Sequence, residues 1–403
     1  MSLTIGLFSS SFLPQIGGVE VGLHNIANQL ISKGYKPIII TSFSHTLNLK
    51  KMKIKLPYKV IAYPPKIFSL FLKYPLLGQK ILELFYNYIQ KKYKFDFWHA
   101  TFIYPVGISI INFCNVKNIN YLIRGVGEDI QIKKNINYGM RLNAKINNQI
   151  IKWLPKAKNL VAVTDSIKKT YLSLGIKKDN IISIPNGVDI KRIKNFKSSF
   201  NLKKKFDIKA SDFIFLSVGR YHIKKNFEIL IKASKKLSKK NKNFKLLIYG
   251  SGVNKLSSII KVDNLEYFVK LIEPNKKINN TSENFKLPSS EVFSLYKQSN
   301  VFLMPSLIES FGIVTVEAMS FGLPVIINNS SGNRDIVRNG KDGYLFNNCE
   351  NELSKIMEEF LDNKILIKKQ SRKSLDRSKS FDWSKIVDQY TEIYSFKKNY
   401  PSF

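Results

Sequence analysis

Two stretches of this 403-residue chain carry charged side chains at spacings suited to a polyanion that also bears hydroxyls. In PSLIESFGIVTVEAMSFGLPVI, Glu309 and Glu317 stand eight positions apart on either side of a Ser310-Phe311-Gly312 loop. The apolar spacing that follows predicts a helix starting near Ile313 or Val314. Glu309 then lies in the loop and Glu317 about one turn into the helix, on the same side. Two carboxylates can accept from hydroxyls, and the backbone N–H groups between them can meet phosphate, as at any helix N-terminus. The plainer reading is an acid pair that complements the helix dipole. The Ser-Phe-Gly loop and the small-residue helix argue against it. In SVGRYHIKKN, Arg220 stands just past an apolar strand-like run, with Lys225 five positions on. Planar guanidinium donors and a compact ammonium from one loop suit a diphosphate. Among 65 basic residues that pair means little by itself, and it gains weight only beside the glutamates.

These groups need a frame. Short β-branched runs alternate with longer amphipathic stretches, the pattern of α/β architecture with parallel sheets. LTIGLFS reads as the first strand, and VEVGLHNIANQLISKGY as a helix ending at Gly34. Gly17 and Gly18, between them, would let the backbone approach a ligand at the helix start, or simply make a tight turn. KPIIITSF, FDFWHATF, NYLIRGVG, KNLVAVTDS and IISIPNGVD continue the alternation. The charged stretch from about Ile190 to Asp212 reads as a structureless linker, and the pattern then restarts with FIFLSVGR, NFEILIKASKKLSKK and FKLLIYGSG. VFLMPS and LPVIINN read as two further strands flanking a helix. The polar, Asn-rich residues 273–290 read as a surface insertion. Two doubly wound domains in series are expected to face a cleft at the carboxyl ends of their strands, where such sheets bind ligands.

Composition bounds the rest. Hydrophobic residues make up 44% and aromatic residues 12%, enough for real cores and against disorder. Lys plus Arg number 65 against 29 Asp plus Glu, a formal charge of +36. The acids are uneven: between Val21 and Gly127 only Glu83 and Asp96 stand against 15 Lys and Arg. A face so poor in acids attracts polyanions or anionic headgroups; background composition of an AT-rich genome explains the same excess. Nucleic acid is not expected as partner, because the chain shows no zinc spacing, RNA signature or dense basic helix. Two cysteines, Cys114 and Cys349, suit a reducing cytosol. No apolar run reaches the roughly 20 residues of a membrane span, and the start shows no signal-peptide pattern. A cytoplasmic protein is expected, with a basic surface that can meet the inner face of the plasma membrane.

Taken in order, GGVE, DFWHA (96–100), IPNGVD (184–189), GRYHIKKN, the Glu309/Glu317 block and WSKIVDQYTEIY resemble glycosyltransferase family 4 over essentially the whole chain. That resemblance implies a retaining, metal-independent enzyme of GT-B fold, with two Rossmann-like domains. The first would span 1–193 and take back a last helix at about 384–400, a linker would occupy 194–212, and 213–383 would bind the nucleotide-sugar. It also implies roles. Gly17 and Gly18 would lie beside the donor diphosphate, Arg220 and Lys225 on its phosphates, and Glu309 on the transferred sugar. Amides of Ser310, Phe311, Gly312, Ile313 and Val314 would sit near sugar and phosphate, and Glu317 on the ribose. Arg220, Lys225 and Glu309 form the expected catalytic set. The expected activity is sugar transfer to a saccharide or lipid-linked saccharide in bacterial surface polysaccharide or lipopolysaccharide assembly. The rival readings are a GT-B epimerase and a basic nucleic-acid-binding protein.

The chain departs from its relatives in RGVGEDIQ, where Val126 stands at the place of an acceptor-facing His. Arg124 can serve as the polar contact instead, or Glu128 and Asp129 can, unless those two are a helix cap and first-turn acid. His99 in DFWHA is either a further acceptor-side residue or a structural one. Asn226 follows Lys225 where Gly is usual, and an Asn tolerates the left-handed turn. No two aspartates are separated by a single residue, so a DxD metal site is missing. KIFSLFLKYPLLGQKILELFYNYIQKKYKF, broken at Pro75, reads either as a docking element for anionic lipid or, after Pro75, as a core helix. The part before Pro75 is the better membrane candidate.

Overall fold

The computed structural model describes residues 2–198, 200–240, 242–274 and 287–396. These fall into two compact units: residues up to Asn186 together with those from Trp383 onward, and residues from Gly187 to Asp382.

In the first unit β1 (Thr4–Ser9), β2 (Lys36–Thr41), β3 (Lys59–Ala62), β4 (Phe97–Thr101), β5 (Tyr121–Arg124), β6 (Leu160–Ala162) and β7 (Ile181–Ser183) form one sheet in the order 3-2-1-4-5-6-7. Every pairing is parallel. A parallel sheet is covered on both faces, so its strands read as continuous apolar runs rather than alternating ones. Phe8 and Trp98 stack across β1 and β4 with ring centroids 4.2 Å apart. The order reverses between β1 and β4, which is where such a sheet opens a crevice at its carboxyl edge.

The second unit repeats the scheme. Strands β8 (Phe213–Val218), β9 (Phe244–Tyr249), β10 (Val269–Ile272), β11 (Val301–Met304), β12 (Val325–Asn328) and β13 (Tyr344–Phe346) lie in the order 10-9-8-11-12-13. These pairings are parallel too, and the reversal falls between β8 and β11. Phe215, Leu246, Ile248, Leu303 and Ile326 build its core with the covering helices.

The stretch 190–212 is not structureless. Asp189 caps a helix over Ile190–Lys194, accepting from the Arg192 amide at 2.9 Å, and Asn201 caps a second over Leu202–Lys205. Ile190, Ile193, Leu202 and Ile208 are buried, and Lys205 pairs with Glu291 at 2.8 Å. Lysines recur throughout this segment, yet its apolar residues decide its packing. The segment read as a surface insertion lies outside the described residues over 275–286; at its edge, Ser290–Gln298 is helical.

Two further elements matter for function. The helix Trp383–Phe396 belongs to the first unit, where Trp383, Ile386, Val387 and Tyr390 are buried and Asp388 pairs with Lys33 at 2.6 Å. Pro75 separates helices Ile67–Lys73 and Pro75–Tyr93. Sequence reasoning favoured the part before Pro75 as the membrane face, but Ile67 and Phe71 are buried there. The exposed apolar side chains are Tyr74 before the break and Leu76, Leu77, Leu84 and Tyr88 after it, Leu76 being 84% exposed. The longer helix is thus two-faced: it buries Gly78, Leu82, Tyr86 and Ile89, with Gly78 pressed against the backbone of Phe71. No helix among the described residues is long and apolar enough to cross a membrane.

Trp383 anchors the last helix, so Trp383→Ala should lower the stability of the protein to urea by about 3–5 kcal/mol, the usual cost of emptying a buried Trp site. A loss below about 1 kcal/mol would show that the helix is held by its other contacts.

Candidate functional site

The second unit gathers its chemistry at the reversal of strand order. β8 runs out into Gly219 and Arg220 and a short turn, Ile223–Lys225, and β11 runs out into the loop that carries Glu309. Because β8 and β11 are neighbours, the two loops meet. Lys225 Nζ donates to Glu309 Oε1 at 2.6 Å, with only 14% and 9% of the two side chains exposed. The Leu307 amide donates to the Lys224 carbonyl at 2.8 Å, a second tie between the loops. Asn226 has φ 52°, the left-handed conformation this turn demands, and its amide group donates to Asn348 Oδ1 at 2.7 Å. Arg220 is exposed.

Burial by itself would push the Glu309 carboxyl up. The charges of Lys225 and Lys224, with hydrogen bonds from Lys225 and Ser306, outweigh it and bring the group down to about 2. Glu317 shows the opposite balance. It sits within the helix Ile313–Ser320, and burial raises it to about 7 against the opposing hydrogen bond from Tyr296 and the charge of Arg192. Tyr296 Oη donates to Glu317 Oε2 at 3.0 Å. The two glutamates therefore differ in kind: one is a fixed carboxylate beside a cation, the other exchanges its proton near neutrality.

The helix starts at Ile313, as its apolar spacing predicts, with Gly312 at φ 79° turning the chain into it. Several supporting residues were missed from the sequence. A Cβ on Gly219 would stand 3.1 Å from Lys225 Cε, so a larger residue would crowd the lysine stem. A Cβ on Gly332 would fall 2.0 Å from the Glu309 carbonyl oxygen, and its φ of 84° also suits glycine. Ser330 Oγ and Asn328 Nδ2 both donate to the Ser306 carbonyl, at 2.7 and 3.1 Å, and the Glu309 amide donates to the Ser331 carbonyl at 2.9 Å. The NNSSGN run was the available signal, a polar cluster directly after a strand.

In the first unit Gly17 has extended backbone, φ −155°, and Gly18 opens the helix Gly18–Ser32. Neither position demands glycine for its backbone angle. What glycine contributes there is the missing side chain at a helix start. Beside them Glu20 is buried and accepts a hydrogen bond from Ser11 Oγ. Sequence reasoning passed over this acid.

Three of the four expected acceptor-side residues are fully buried. His99 is fully buried, with Nδ1 2.7 Å from Tyr394 Oη of the last helix, and burial, reinforced by the nearby charge of Arg124, holds it well below the ordinary histidine value. Arg124 is likewise fully buried at the end of β5, and its Nε and Nη1 have no hydrogen-bond partner among the described residues. Asp129 is buried too. Its carboxylate accepts from the Val126 and Gly127 amides at 3.1 and 2.9 Å and from the Ile103 amide, so it organises loops rather than capping a helix. Burial lifts it to about 6 despite those amides. Glu128 alone of the four is exposed.

Solved structures share this architecture along the chain. A glycosyltransferase from Rickettsia africae matches with TM-score 0.76 at 21% identity, over 99% of this chain and 100% of that one. HepE of Anabaena, in complex with UDP, matches with TM-score 0.72 at 18% identity, over 98% and 100%. Two parallel Rossmann-like sheets matched in this way define the GT-B fold. At the level of sequence, the alpha-monoglucosyldiacylglycerol synthase of Acholeplasma laidlawii is 26% identical over 368 residues, 86% of each chain. The profile described as Glycosyltransferase Family 4 matches residues 16–192, and that described as Glycosyl transferases group 1 matches residues 198–377. The chain belongs to this family and is a glycosyltransferase.

The Lys225–Glu309 pair allows a direct check. Replacing Lys225 by Met leaves a buried carboxylate without its cation and should cost about 3–5 kcal/mol at neutral pH. Glu309 is at its ordinary 4.5 when unfolded and about 2 when native, so it stabilises the fold above pH 4.5 and loses that contribution as pH falls through 2. In Lys225→Met the native carboxyl rises, so the gap between the two proteins should narrow as pH is lowered. A gap that stays constant down to about pH 3 would show that the pair does not set it.

Proposed function

We propose that the chain moves a sugar from a nucleoside-diphosphate donor to a hydroxyl of a saccharide or lipid-linked saccharide, with retention at the anomeric carbon, in building a bacterial cell-surface polysaccharide or glycolipid. The observation that carries this reading is the buried Lys225–Glu309 pair at the carboxyl ends of β8 and β11. A departing diphosphate needs fixed positive charge where water is scarce, and Lys225, Arg220 and the opening amides of the helix at Ile313 and Val314 offer it without a metal. Glu309, kept ionised by its neighbours, accepts from hydroxyls of the transferred sugar, and the amides of Ser310, Phe311 and Gly312 line the same loop. Glu317 accepts from the ribose. From the first unit we assign Gly17 and Gly18 to the donor and Glu128 to the acceptor. The donor class draws support from the UDP held by Anabaena HepE.

In this mechanism the acceptor hydroxyl attacks from the side the diphosphate leaves. The C–O bond to the diphosphate breaks as the new glycosidic C–O bond forms, and a phosphate oxygen takes the hydroxyl proton. Arg220 is exposed, so Arg220→Ala should leave the fold intact. It should lower kcat about 10²-fold, the scale of losing one charge-stabilising donor. Turnover on a matched donor that survives both Arg220→Ala and Lys225→Ala would end this mechanism.

The acceptor reading extends to an anionic membrane surface on the cytoplasmic side. The exposed Tyr74, Leu76 and Leu77 stand beside Lys73 and Lys80, apolar groups set among cations as an interfacial helix presents them. A relative named for glycolipid synthesis points the same way. Flotation with vesicles containing phosphatidylglycerol should recover the protein at low salt, and Leu76→Glu with Leu77→Glu should abolish recovery. If the wild-type protein does not float at low salt, the membrane assignment is wrong.

A further inference from the structure

The second unit carries a concave basic site that the sugar-transfer reading does not use. The loop between β12 and β13 brings Arg338, Lys341 and Asp342 against Lys373, Asp376 and Arg377 of the helix Lys364–Ser378, around a cavity of about 510 Å³. That volume falls in the range of small-molecule sites. Four cations face two carboxylates, and both carboxylates are already engaged. Asp342, 1% exposed, accepts from Arg338 N at 2.7 Å and from Arg338 Nε at 2.6 Å. Asp376 accepts from Lys379 Nζ at 2.7 Å.

Asp342 neutralises Arg338, while Arg377, Lys341 and Lys373 have no salt bridge among the described residues. Arg377 Nε donates to the Ile336 carbonyl at 3.1 Å, and its guanidinium lies 4.8 Å from the centre of the Phe381 ring. Burial pulls Arg377 below its ordinary value, with Asp342 opposing and the like charge of Arg338 adding to the fall. Lys341 and Lys373 are exposed and have no carboxylate partner among the described residues. The site is also separate from the Glu309 loop. Phe381 packs edge-on against Phe311 at 5.6 Å, and Ile336 Cδ1 lies 3.4 Å from where a Cβ on Gly312 would stand. Phe381 and Ile336 thus stand between Arg377 and that loop.

We propose that this pocket binds a phosphomonoester. The chemistry matches on charge and on geometry. A phosphomonoester brings close to two negative charges and three acceptor oxygens, and an arginine fork with flanking ammonium groups is the natural receptor for both. A nucleic-acid backbone, whose phosphates each carry a single charge along a line, suits an extended basic track better than one local cluster of cations. The ligand is either a soluble phosphate ester or the monoester headgroup of a lipid, and the test separates them.

Calorimetric titration of sn-glycerol 3-phosphate into the full-length protein saturated with UDP reports the soluble case. Co-sedimentation with phosphatidylcholine vesicles, with and without phosphatidic acid, reports the lipid case. Saturable binding in either arm is expected, and Lys341→Ala with Lys373→Ala should weaken it by about ten-fold or more. Both lysines are exposed, so the variant should fold. A control with Lys236→Ala and Lys239→Ala, two exposed lysines elsewhere in the unit, should change it less than about two-fold. Binding in neither arm, or equal loss in both variants, overturns the proposal.

Discussion

A carboxylate withdrawn from water must find a cation or give up its charge, and that constraint shapes the second unit. Glu309 is buried and stays ionised because Lys225 reaches it from the neighbouring strand's loop. A buried pair of this kind adds little net stability over an apolar pair, since desolvation consumes most of the attraction. Its presence makes sense as positioning: an acceptor and a positive charge are kept side by side at the edge of a sheet. The surrounding details serve that end. Gly219 leaves space for the lysine stem, Gly332 lets a second loop close over the Glu309 backbone, and the Ser306, Asn328 and Ser330 hydrogen bonds hold the loop from beneath.

The two units use one topology to different effect. Both sheets reverse order at a central pair of strands, and in both the carboxyl ends of that pair carry polar residues. In the second unit those residues form a charged pair beside an exposed arginine. In the first, His99 within β4 and Arg124 at the end of the neighbouring β5 pack against Tyr390 and Tyr394 of the last helix. The same helix brings Trp383 against Gly22, where a larger residue would meet both the indole and the Arg124 guanidinium. The helix Trp383–Phe396 thus covers His99 and Arg124, while Glu128 stays exposed.

Charge is distributed with a similar logic. An excess of 36 positive charges looks indiscriminate in composition, yet individual lysines differ sharply in what they do. Lys225 is half of a buried pair. Lys245, also buried, donates to the Tyr267 carbonyl at 2.7 Å with its ammonium 3.2 Å from the centre of that ring. Lys341 and Lys373 stand at a pocket whose acids are occupied. Solvated lysines contribute a general field; those with fixed neighbours contribute specific chemistry.

Much of this was legible in residue order. Strands announce themselves as apolar runs because a parallel sheet is buried on both faces, and the helix at Ile313 follows from its own spacing. Arg220, Lys225 and Glu309 stood out as candidates because loops that follow strands are where such sheets place chemistry. Local pattern carries no information about what covers a residue. His99 and Arg124 look the same in sequence whether they face solvent or a helix nearly 300 positions later, and only tertiary packing buried them. The segment 190–212 looked solvated because lysines recur throughout it, while its fold depends on where its apolar side chains dock. Sequence decided which elements form and which side chains are available. Tertiary structure decided which of them meet, because burial and ion pairing depend on distances in space that chain order does not encode.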